Sequence, residues 1–187
     1  IYSSVFILII IFITFGLYID NKEKKKILLS ENYIQAKIYL ESGDKIRAIS
    51  ILKETIFEDD PTYSTLCLFL IMNENLIEDK EELIELFDHV LKNNKFSDDV
   101  KYLLIYKKAL FNSDFINEAK LIESTRPLLK SDNLWKPHAL LLLGDFFAYK
   151  GENLKSIEFY QEIFSINNLH SNIYNHAKSQ LSKIKNE

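Results

Sequence analysis

The first nineteen residues, IYSSVFILIIIFITFGLYI, carry no charge and consist almost entirely of Ile, Leu, Phe and Val. At about 1.5 Å of rise per residue such a run reaches roughly 28 Å as a helix, close to the hydrocarbon thickness of a bilayer. It predicts one transmembrane helix, Ile1 to Ile19. A buried core helix would keep a polar stripe, yet between Val5 and Phe15 the only polar side chain is Thr14. The run closes on Phe15-Gly16-Leu17-Tyr18 with no small-residue cleavage step, so it reads as an uncleaved anchor rather than a signal peptide. Tyr2 and Tyr18 stand near its two ends, where amphipathic rings favour the headgroup zone.

Beyond the anchor the chain is polar and charge-rich. Residues 20–27 form a charged connector, and the cluster Lys22, Lys24, Lys25 and Lys26, taken alone, places the rest of the chain in the cytoplasm. Residues 28–187 are of one-domain size. Four Gly and three Pro in 187 residues leave few sites for tight hairpins, and no stretch alternates apolar with polar, so an all-α domain is expected. The net charge of -4, with Lys and Glu interspersed, offers no basic face for nucleic acid. The single Cys67 lies in the apolar run TLCLFLIM and reads as a small buried hydrophobe.

Apolar residues recur at helical spacing in segments divided by short polar breaks. The first stripe, Leu28-Tyr33-Ala36-Leu40, ends at Ser42-Gly43-Asp44, where Gly43 offers a left-handed cap and Asp44 an N-cap. Further helices are predicted through Ile46–Ile56, from Pro61 through Leu70, over Glu78–Leu91, from a Ser97-Asp98-Asp99 cap to Phe111, over Asn117–Leu129 with Pro127 kinking or ending it, over Trp135–Lys150, over Leu154–Ile166, and from Ser171 to Ile184.

These helices pair into a degenerate repeat. Gly144, Phe147 and Ser156 stand at the tetratricopeptide spacing of small, aromatic and small residues, and Ala36, Tyr39, Ala48 and Leu52 repeat it. Weaker copies place Lys107, Leu110 and Ala119, and Phe69, Met72 and Glu81. The first positions, 36, 69, 107 and 144, recur near the tetratricopeptide period. The expected fold is therefore one N-terminal transmembrane helix and then a tetratricopeptide-like right-handed stack of antiparallel helix pairs.

The segments AKIYLESGDKIRAISIL and LWKPHALLLLGDFFAYKGENLKSIEFYQEIF, placed after an anchor and a charged connector, resemble the YfgM-like family, the ancillary subunit associated with the SecYEG translocon. The resemblance implies a single-pass protein of the bacterial inner membrane with its soluble domain in the periplasm. Its implied partners are the Sec translocon, periplasmic chaperones or exported chains. A tetratricopeptide-type scaffold for another cell-envelope assembly is the alternative.

No phosphate loop, HExxH, paired-cysteine zinc spacing or G-x-S-x-G elbow occurs in the sequence, so no enzyme, cofactor, metal or small-molecule substrate is expected. His170 and His176, six residues apart, fall on different sides of a helix. In a stack of pairs the first helix of each lines a groove, and the template assigns to it Tyr33, Lys37, Tyr63, Leu66, Leu70, Lys101, Lys108, Phe111, His138 and Asp145, together with Leu104. This mixture suits an extended or helical peptide. A carboxylate-gripping set of Lys and Asn is not present, since only Lys101 matches and Tyr33 and Ser64 stand at other positions.

Overall fold

The computed structural model describes residues 2–130, 132–167 and 169–186, with the side chains of residues 2–11, 13, 185 and 186 outside that description. Among the described residues the chain is all-helical, without strands: α1 (Tyr2–Glu41), α2 (Lys45–Ile56), α3 (Pro61–Asn73), α4 (Lys80–Asn93), α5 (Asp98–Asn112), α6 (Glu118–Leu129), α7 (Lys136–Tyr149), α8 (Asn153–Ile163) and α9 (Ser171–Asn186). No helix among the described residues is long and apolar enough to cross a membrane. Of the predicted span Ile1–Ile19, the backbone from Tyr2 onward belongs to α1, while the side chains of residues 1–11 and 13 lie outside the description. The charged residues 20–27 do not interrupt α1, which runs through them as one helix.

The chain forms two compact units, Ile1–Lys95 and Phe96–Glu187. In the first, α1 packs on α2 and α3, α2 on α3, and α3 on α4. Its helices start where acidic side chains can satisfy the unpaired N–H groups of a first turn. Asp44 accepts from the Arg47 N–H at 3.1 Å, Asp60 from Thr62 and Tyr63, and Asp79 from Glu81 and Glu82. Gly43 takes φ +83°, letting the Asp44 N–H turn back to the Tyr39 carbonyl at 2.8 Å and close α1. Leu29, Ala36, Ala48, Leu52, Ile56, Leu68 and Phe87 form the interior. Ser64 is buried there but satisfied, donating to the Ile56 carbonyl at 2.8 Å and tying α3 to α2.

The second unit is built around α7, which packs on α5, α6, α8 and α9. This explains why α7 is apolar on nearly every side, with Pro137, Ala139, Leu140, Leu142, Leu143, Gly144, Phe146 and Phe147 all buried. Phe147 stacks on Phe159 with centroids 5.5 Å apart, and Tyr160 lies over Gly144, where a Cβ would meet its ring at 2.5 Å. The Lys155 ammonium joins α8 to α6 through Glu118 at 2.6 Å.

Several expectations shift in detail. The small or buried position of the second helix falls at Ala48 and Ser156 as anticipated, but Glu81 and Ala119 are exposed, and Leu83 and Leu121 are buried in their place. In every case the buried residue is the fourth of its helix. A fixed offset of twelve presupposes the short turns at 42–44 and 150–152; the longer links 74–79 and 113–117 move the second helix's inward face two residues on. Leu104, assigned to the groove, is fully buried in the core. Ser97 occupies an N-cap without a side-chain capping bond, leaving Asp98 and Asp99 to supply negative charge to the first turn of α5. Pro127 sits inside the last turn of α6, and the helix closes at Leu129. Helix α8 stops at Ile163 rather than Ile166, with Phe164 as its C-cap.

Candidate functional site

In the second unit the start of α5, the link before α7, the start of α7 and the link before α9 surround an open cleft of about 830 Å³. Leu134, Pro137, Ile166 and Ile173 give it apolar walls, and Asp98, Asp99 and Asp132 bring carboxylates to it. His138 lines it, the one expected groove residue that does so, and His170 lies in the same wall.

Beside the cleft an aromatic group fixes the geometry. Trp135 stacks on Tyr106 with centroids 5.5 Å apart, and the His138 ring stands 5.1 Å from Trp135 and 5.5 Å from Tyr106. The Trp135 indole N–H donates to the Asp99 carbonyl at 3.1 Å, so the first turn of α5 and the N-cap of α7 are held together by one bond. Trp135 and His138 are three residues apart and share a helix face, and Tyr106 reaches them from α5.

These surroundings shape the proton affinities. Burial holds His138 below its usual value; the Leu134 carbonyl, 3.3 Å from Nδ1, opposes this, and the charge of His170 adds a smaller push downward. Burial, reinforced by the negative charge of Asp145, raises Tyr106. His138 therefore favours its neutral form at neutral pH, presenting an imidazole that both donates and accepts.

No protein-family model, curated protein sequence or solved structure matches this chain.

The other expected groove residues divide between the units. In the first, Lys37 and Leu70 meet in a hollow of about 260 Å³ shared with Leu40, Glu41 and Glu74. Tyr33 and Tyr63 are half-buried and Leu66 is more exposed. In the second, Lys101 is exposed, Lys108 is half-buried, and Phe111 meets Phe115 edge to face with centroids 5.2 Å apart. Asp145 takes a different part. Its Oδ1 accepts the Tyr160 hydroxyl at 2.6 Å and lies 3.0 Å from His176 Nε2, joining α7 to both α8 and α9. Sequence reasoning missed Tyr106 and His170 as neighbours of His138. Only the three-residue spacing of Trp135 and His138 was present as a signal, and it does not reveal which other segments join them.

Proposed function

We propose that this chain is a membrane-anchored protein-protein interaction module, an ancillary translocon-associated subunit assisting exported proteins or periplasmic chaperones. In this reading residues 1–19 form a transmembrane anchor in the bacterial inner membrane, and the helical pairs form a tetratricopeptide-like periplasmic domain. The observation that carries it is the cleft of about 830 Å³. Its apolar walls, aromatic border and scattered carboxylates and imidazoles match the mixed surface that grips a segment of polypeptide, where aromatic anchors supply contact area and polar groups set orientation. The proposed activity is binding, without catalysis, cofactor or metal.

A photo-reactive amino acid at Leu134, on the cleft wall, tests the reading in native membranes. Capture of the translocon channel, a periplasmic chaperone or a nascent exported chain is expected. Capture of only division or wall-assembly proteins would favour the scaffold alternative, and absence of any protein adduct would overturn the binding role of the cleft.

A further inference from the structure

The cleft between the starts of α5, α7 and α9 is charged with one sign. Asp98 and Asp99 reach it from α5 and Asp132 from the link before α7. Among the described residues no Lys or Arg lines it, and none forms an ion pair with any of these three carboxylates. Lys136, next to Pro137 of the wall, is engaged by Glu162 at 3.3 Å, and Lys101, one turn along α5 from Asp98, is exposed outside the lining.

Helix ends offset only part of this charge. Three helices begin at the cleft, and each start carries the equivalent of about half a positive charge, so the carboxylates exceed them by about twofold. His138 favours its neutral form, and even with His170 charged the carboxylates stay in excess. Apolar surface lies open at the same place. Leu134 is 72% exposed on the wall that it shares with Ile166 and Ile173, and Tyr102 adds an aromatic ring, a surface that attracts cations. A ligand complementary to both characters carries a positive charge beside apolar groups.

We propose that the cleft recognises a polypeptide segment in which a Lys or Arg is flanked by residues such as Leu or Ile. The basic head meets Asp98, Asp99 and Asp132, and the apolar neighbours lie on Leu134, Ile166 and Ile173. Long basic side chains suit such a site, since their stems cover apolar surface while their heads reach charge. The same carboxylates turn acidic segments away, because like charges brought together repel. The inference rests on the reading of the cleft as a polypeptide-binding site and names the class of segment it takes.

The test uses the full chain in a non-ionic detergent with a photo-reactive amino acid at Leu134. The probes are three peptides blocked at both ends, Gly-Ser-Leu-Lys-Ile-Ser-Gly and its twins with Gln or Glu in place of Lys, and adducts are read by mass spectrometry. The Lys peptide is expected to be captured on the order of tenfold better than the Gln peptide, and the Glu peptide least, with a spread that narrows as added salt screens the charges. Asp132 lies outside every helix, so its substitution leaves the helix starts intact. Asp132→Asn is expected to lower capture of the Lys peptide by about threefold, and Asp132→Lys to abolish the preference for Lys over Glu, both with unchanged helical circular dichroism. Equal capture of the three peptides, or an undiminished preference in Asp132→Lys, overturns the charge recognition and leaves the cleft a polypeptide-binding site. Capture of none of them overturns both readings together.

Discussion

The hydroxyl of Ser156 donates to the main-chain carbonyl of Gly144 across 2.8 Å, in the buried seam between α7 and α8. Because Gly144 has no side chain, the Tyr160 ring fills the space beside this bond. Gly144→Leu is expected to destabilise the protein by about 1–3 kcal/mol through overpacking, since even the first added carbon meets the Tyr160 ring at 2.5 Å. Denaturant unfolding of the full chain in detergent, monitored by helical circular dichroism, measures it. An unchanged transition would mean that the seam is not close-packed at Gly144.

Tyr160→Phe removes the phenol that donates to Asp145 at 2.6 Å while keeping the ring over Gly144. The expected loss is about 1–3 kcal/mol, because a half-buried carboxylate loses a charge-assisted partner. His176→Ala in addition should cost less than the sum of the two single losses if the groups act as one network, a relation that a double-mutant cycle tests.

Acidification should weaken the second unit. His138 is held below its ordinary value of 6.5, so the unfolded chain binds its proton more readily than the folded one. Stability from this group is therefore present above pH 6.5 and is lost as pH falls through the lower folded value. His138→Gln should flatten the pH dependence of unfolding as pH falls below 6.5. The fluorescence of Trp135, the one tryptophan of the chain, gives a local readout, as the ring lies 5.1 Å from His138.

Cys67 is fully buried, and loss of solvation pushes its thiol up to about 12, against a smaller opposing effect of the Thr55 hydroxyl. Folded protein is expected to resist thiol reagents at about pH 8, with labelling that rises in step with unfolding of the first unit as denaturant is added. Fast labelling without denaturant would show that α3 opens locally.

Much of the secondary structure was legible because its determinants are local. Asp44 caps and Gly43 ends helices with signals contained in a few residues, and apolar spacing reports the inward face of each helix. The pairing register was legible only where turns are short. Ala48 and Ser156 fell where the template put them, whereas Glu81 and Ala119 did not, because link length is set by the chain between helices and not by their faces. The cleft was least legible. His138 was found from its place on a helix, but Asp99 and His170 reach the cleft from separate segments, and only the packing of α5, α7 and α9 brings them together. Leu104 shows the opposite error: a position outward in an ideal repeat is drawn into the core when neighbouring helices close over it.

The absence of a break between residues 19 and 29 gives α1 a mechanical meaning. Ten residues of helix set a distance of about 15 Å between Ile19 and Leu29, the first buried residue of α1 among those described, with Lys25 reaching Glu58 on the way. A flexible tether would let the rest of the unit wander. A stiff one fixes how far α2 and α3 stand from Ile19, and couples any rotation of the N-terminal run to them as a shaft turns a wheel.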